Sequence, residues 1–289
     1  TMPNSDIDCD GILDFYLAAN AVTIMCPNAA VGSTGVFNGV TYTKQDRSGL
    51  VALVNADDWS SVETTCTSGI TDMSGLFEGS WSSSNLFNGD ISTWDVSSVT
   101  DMNSMFYRAV DFNQDIGGWD VSSVTDMSFM LSYADSFNED IGGWDVSSVT
   151  SMSYMFDSAY DFNQDISGWD VSSVTNMSRM FYSAYDFNQD LSGWCVSNFS
   201  AQPGAFDYGS SSWTLPRPVW GTCPSFYLAS NGVTVMCPNA AVAAKHQPKR
   251  RRTPWMRRTQ KKRMKQILCQ PRIVNANLSK LAKRLRVDL

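Results

Sequence analysis

Residues 112–135 read FNQDIGGWDVSSVTDMSFMLSYAD, and residues 137–160 read FNEDIGGWDVSSVTSMSYMFDSAY. The phrase returns every 25 residues. Trp94, Trp119, Trp144, Trp169 and Trp194 keep the step, as do Phe87, Phe112, Phe137, Phe162 and Phe187. Val99, Val124, Val149 and Val174 follow, then Met102, Met127, Met152 and Met177. No spacing slips by one residue. A fixed short period of this kind implies units that stack, each on the last, because one unit cannot bury its apolar side chains alone.

Within a unit, Trp119 and Val121 alternate around Asp120 after the Gly117-Gly118 pair, which reads as a short strand leaving a tight turn. Val124, Met127, Met130, Leu131 and Ala134 then recur at three- and four-residue spacing, which predicts about two helical turns, with Thr125 as the cap. The expected fold class is therefore an α/β repeat. Its short parallel strands, centred on the WDV phrases, would pair at about 4.8 Å between units.

Outward from the array, residues 1–65 alternate in VTIMC and GVFNGVTYTK and continue into SGLVALVNADDW, which predicts a small β-rich module followed by a helix. Residues 66–223 hold the repeats with their caps, beginning in a degenerate unit, CTSGITDMSGLF, and ending in the Pro- and Ser-rich AQPGAFDYGSSSWTLPRPVWGTC. Residues 224–244 repeat the first module in truncated form (FYLASNGVTVMCPNAAV). Residues 245–289 carry sixteen of the 21 Lys and Arg with Asp288 as their only acid, a composition that predicts a disordered tail. This tail has the composition of a nucleic-acid arm, but it follows an acidic body. The change near Val242 is read as a shift of frame or splice junction, and no nucleic-acid partner is expected. The start at Thr1, without a charged and apolar leader, is read as that of a fragment or mature chain.

Seven cysteines stand at 9, 26, 66, 195, 223, 237 and 269. None forms CxxC and the sole His is His246, which argues against zinc. Cys195 replaces the Asp of WDV in the last unit and is paired with Cys223 as a stapled cap; Cys26 and Cys66 bracket the first module and form the second expected pair. The alternative is reduced, buried thiols of a cytosolic protein.

The repeat, together with the SGWCVSNFS ending and the following VWGTCP, resembles the BspA-family leucine-rich-repeat surface proteins, and the same unit is found in mycoplasma lipoproteins and in secreted proteins of marine algae. The resemblance covers residues 66–223. It implies a right-handed leucine-rich-repeat-like solenoid, a secreted or cell-surface location and an adhesive or protein-binding role. It supplies no catalytic residues.

The candidate binding surface is the pair of carboxylate ladders, Asp95, Asp120, Asp145 and Asp170, and Asp115, Asp140 and Asp165. Like charges stacked so closely repel, so they need water, a backbone donor or a cation. Solvated or backbone-capping carboxylates are the expected reading and calcium the alternative; no metal or other cofactor is expected. The Asn column (Asn88, Asn113, Asn138, Asn163, Asn188) is expected to bond neighbouring backbone amides, and the Trp and Met columns to fill the core. Asn176-Met-Ser and Asn198-Phe-Ser are glycosylation sequons. With no nucleophile–base pair, an enzyme is not expected. The sequence predicts a monomeric, extracellular module that binds a protein or polysaccharide, without a membrane span. A structural spacer is the competing role, followed by a metal- or ice-binding surface.

Overall fold

A computed structural model describes residues 14–80, 82 and 84–224, together with the strand pairs Tyr227–Leu228 and Thr234–Val235. All of them belong to one compact unit. The readings made for the basic tail, the start of the chain, Cys9, Cys237 and Cys269 lie outside these residues.

The N-terminal module begins with two antiparallel hairpins, β1 (Tyr16–Leu17) with β2 (Ile24–Met25) and β3 (Thr34–Phe37) with β4 (Val40–Lys44). Asn38 and Gly39 join the second pair at φ 51° and 83°, as a two-residue turn matched to strand twist requires. Helix α1 (Arg47–Asn55) starts where the Asp46 side chain accepts from Gly49 N at 2.8 Å. Helix α2 (Trp59–Glu63) is capped in the same way by Asp58. Strand β5 (Thr65–Cys66) lies parallel to β4, and β6 (Tyr227–Leu228) pairs antiparallel with β7 (Thr234–Val235).

In the repeats the structure departs from the expected elements. The WDV phrases are not strands and the MxxM(F/L) segments are not helices; both are built from turns. Parallel pairing falls one turn later, as single bridges joining Asp72, Asp101, Asp126, Ser151 and Asn176 in succession. The reason lies in where the N–H groups go. Those of Met127, Phe129, Leu131 and Tyr133 donate to Ser151, Ser153, Met155 and Asp157 of the next unit at 2.8–3.0 Å. The alternate ones, Met130, Ser132 and Ala134, close turns onto residues three back. Phe129 and Tyr133 sit at φ 58° and 57°, which stops a helix from propagating. A helix of two turns would leave most of its end groups unpaired, whereas a stacked neighbour offers an acceptor at every second residue.

The three-and-four spacing was nevertheless right about direction. Val124, Met127, Met130, Leu131 and Ala134 are all fully buried. So are the Phe column and Ile116, Ile141 and Ile166. Rings in the Phe column lie 5.9–6.2 Å apart from Phe87 to Phe187, and Trp144, Trp169 and Trp194 stack at 6.3 and 6.5 Å, all nearly parallel. Each indole also donates to a carbonyl of the preceding unit, Trp144 Nε1 to Ile116 O at 3.1 Å and Trp169 Nε1 to Ile141 O at 3.1 Å. A buried Trp thus keeps its polar atom satisfied. Thr125 does not cap a helix: both its N–H and its hydroxyl donate to Thr100 O, at 2.8 and 3.0 Å.

The two ends are covered differently. At the N-terminal end Trp59 of α2 tilts against Phe87 at 5.1 Å. There a buried polar cluster joins module to array: Lys44 Nζ donates to Cys26 O and Ser68 O, and Ser68 Oγ donates to Asp95 Oδ2. Burial lowers the Lys44 pKa, opposed in part by Asp95. At the C-terminal end Phe206 and Trp213 are buried in the cap, with Trp213 edge-on to Phe187 at 4.7 Å. Packing therefore holds this cap as well as the cross-link, more than its sparse apolar pattern suggested. Cys26 is bonded to Cys66 and Cys195 to Cys223.

Trp144→Ala should destabilise the protein by about 3–5 kcal/mol in chemical denaturation, through the cavity and the lost indole bond to Ile116 O. Cys195→Ser should cost on the order of 3 kcal/mol. Hydrogen exchange in that variant should show residues near Phe206 opening before those near Trp144. Simultaneous exchange along the array would contradict an end held by its own staple.

Candidate binding face

The carboxylate ladders serve the backbone. Oδ1 of Asp115, Asp140 and Asp165 accepts from the N–H two residues on, at 2.9–3.0 Å. Oδ1 of Asp120, Asp145 and Asp170 does the same, at 3.0–3.1 Å. Each Asp thereby fixes a turn that every unit must make. Asp95 is only 4% exposed beneath the N-terminal module, so it is not part of a binding surface. Asp115, Asp120, Asp140, Asp145 and Asp165 are exposed and Asp170 is half-buried.

The Asn column is also a backbone device. Oδ1 of Asn88, Asn113, Asn138 and Asn163 accepts from the N–H of the Asn one unit on, at 2.8–2.9 Å. Asn188 Oδ1 receives Thr214 N at 2.8 Å and Leu215 N at 3.0 Å from the cap. Gln164 and Gln189 reinforce the column by donating to Asn138 and Asn163. Glu139, where three other units have Gln114, Gln164 and Gln189, has no donor for this bond. Of the two sequons, Asn176 is exposed and Asn198 is also exposed, but Asn198 Nδ2 donates to Ser172 O at 2.6 Å.

The units differ on a face that the sequence reading passed over. Its first column is Gly75, Ser104, Phe129, Tyr154 and Arg179, all at φ 56–61°. Its second is Glu78, Tyr107, Ser132, Asp157 and Tyr182, and its third is Gly79, Arg108, Tyr133, Ser158 and Ser183. The equivalence follows from the lateral hydrogen bonds of the turns. Together these columns make a strip of aromatic and guanidinium groups. Phe129 stacks on Tyr154 at 4.4 Å, and Arg179 lies over Tyr154 at 5.4 Å and over Tyr182 at 4.9 Å. Tyr182 stacks on Tyr208 of the cap, which is 68% exposed, and Arg108 lies over Tyr133 at 5.4 Å.

The strip also holds a buried carboxylate. Asp157 is 4% exposed, and burial raises its pKa against the lowering influence of the Ser158 hydroxyl and Arg179. Burial likewise raises that of Asp135, against nearby Arg108. The signal for the whole strip was present in the sequence. In units otherwise near-identical, these are positions where small, aromatic, acidic and basic residues interchange.

A family model described as "Mycoplasma protein of unknown function, DUF285" matches residues 51–147 and again residues 118–213, together more than half of the chain. The chain belongs to this family. The overlap of the two matches follows from the repeat, since a model several units long fits in two registers. No curated protein and no solved structure matches the chain. Among the described residues, no helix is long and apolar enough to cross a membrane, and no three His, Cys, Asp or Glu side chains group as metal ligands.

A carboxyl whose pKa is raised on folding keeps a proton that the unfolded chain releases, so stability falls as pH rises from the ordinary Asp value of 3.8 through the raised one, then levels. Asp157→Asn should flatten part of that fall and leave the protein more stable at neutral pH. Denaturation midpoints across pH 3–8, taken for both proteins, check this. A variant less stable throughout would mean that the pairing with Ser158 and Arg179 outweighs the burial.

Proposed function

We propose that the protein is a secreted or cell-surface binding module without catalytic activity. The stacked units form a right-handed solenoid of the leucine-rich-repeat kind, and the aromatic strip is presented to an extracellular protein or polysaccharide. The observation that carries this reading is the contrast between two sets of positions. Those that face the core or cap turns are nearly invariant from unit to unit, while those of the strip vary and hold Tyr, Phe and Arg. Interior packing constrains the first set. Nothing in the packing calls for four different residues in the column that runs from Ser104 to Arg179. Tyr and Arg are the residues that most often dominate binding energy, because they bring large rigid contact area together with polar tips.

The charge pattern supports a specific face. The body is acidic, and Arg108 and Arg179 both lie on the strip, while Lys44 is buried and Arg47 and Arg217 pair with Asp72 and Asp207. The two disulfides fit an oxidising compartment. The resemblance to BspA-family surface proteins favours the same location and an adhesive role.

Surface-immobilised arrays of extracellular-matrix proteins and polysaccharides test the reading. Saturable binding is expected to at least one of them. The pair Tyr154→Ala and Arg179→Ala should weaken it tenfold or more, while Asp120→Asn with Asp145→Asn should leave it within about twofold. Absence of saturable binding would favour a structural spacer. Loss confined to the Asp variants would return the site to the carboxylate ladders.

A further inference from the structure

The aromatic column stops at Phe129. Toward Tyr154 the ring is stacked at 4.4 Å, but in the preceding units its column continues only as Ser104 and Gly75. The step from large to small side chains opens a shallow groove of about 720 Å³, lined by Gly75, Glu78, Asn103, Ser104, Tyr107 and Phe129 among others. Gly75 leaves this end of the column without a side chain, and a Cβ there would meet the Glu78 carboxylate at 3.0 Å.

We infer that this groove is a subsite for one neutral hexose unit of a polysaccharide, an inference that rests on the binding role proposed above and narrows it to one ligand class. Its lining combines two aromatic rings with an amide, a carboxylate and hydroxyls, in an open rather than enclosed hollow. A pyranose has the matching surfaces: a flat face of C–H groups that packs on an aromatic ring, and an equator of hydroxyls that both donate and accept. The half-buried Phe129 supplies the platform, with Tyr107 set edge-to-face to it at 6.2 Å. Asn103 Oδ1 already accepts from Ser104 Oγ at 2.9 Å, so the group it offers is its Nδ2 donor. Glu78 adds a carboxylate that accepts from two vicinal hydroxyls. The same carboxylate repels phosphate, sulfate and uronate, which is why the unit is neutral. An apolar peptide side chain would leave the amide and the carboxylate without partners.

The test titrates the full chain with four hexasaccharides, β-1,3-glucan, β-1,4-glucan, α-1,4-glucan and β-1,4-mannan, by calorimetry and saturation-transfer NMR. At least one should bind saturably. Phe129→Ala should weaken it tenfold or more, and Asp120→Asn, at a turn outside the strip, should leave it unchanged. Ser104→Tyr is the decisive variant. Tyr154 occupies the equivalent position at the same backbone angle, φ 59° against 57°, so the substitution fits the fold, and it fills the groove. It should abolish binding with an unchanged melting temperature. The inference is overturned if no hexasaccharide saturates, or if binding survives Ser104→Tyr. Either result alongside a saturable protein partner on the arrays would leave the binding role standing, and silence in both experiments would remove both.

Discussion

In each unit the backbone has two classes of N–H group along the segment that follows the recurring Thr. One class bonds within its own turn and the other can be satisfied only by the next unit, as Phe129 N is by Ser153 O and Tyr154 N by Ser178 O. An amide buried without a partner costs more than a made bond returns, so each unit holds its shape because its neighbour is there. The left-handed residues at positions such as Phe129, Tyr154 and Arg179 are a consequence. They are unfavourable locally, by about 1–2 kcal/mol each, and persist because lateral bonds on both sides fix them.

That constraint divides the side chains by task. Residues pointing inward must match the residue one unit away, which gives flat stacks of Phe and Trp and allows little exchange. Leu131 in place of Phe106 and Phe156 is one of the few departures. Residues at the turns must supply an acceptor at a fixed distance, which is why Asp and Asn recur there. Ladders of carboxylates are tolerated because each oxygen that faces the chain receives an N–H and most of the side chains stay in water. The column from Ser104 to Arg179 escapes both demands. Its left-handed backbone accepts Ser, Phe, Tyr and Arg alike, so composition there is open to selection by a ligand.

The ends show where the repeat ceases to be enough. At one end a module with its own hairpins, a disulfide and the Lys44–Ser68–Asp95 cluster takes over the bonds that a preceding unit would make. At the other, Asn188 and Leu191 bond instead to Thr214 and Pro216 of the cap, and Trp213 closes the Phe column. Both caps are cross-linked. A terminal unit has one neighbour rather than two, and a covalent tie restrains the edge most prone to open.

The sequence by itself determined the stacking of units and the identity of the core. These follow from a period that never slips and from apolar spacing, which reports side-chain direction whatever the backbone does. It misassigned the elements, because the spacing of Val124, Met127, Met130 and Leu131 is shared by a helix and by a chain of alternating turns. Choosing between them depends on acceptors 24 residues away, which local propensity does not contain. The proposed binding face was obscured for a related reason. Repetition drew attention to the Asp residues, whereas recurrence in this fold marks residues that the backbone needs. Only the three-dimensional register, which sets Phe129, Tyr154 and Arg179 in one column and leaves Ser104 and Gly75 as a gap beside them, gave the variable positions a common surface.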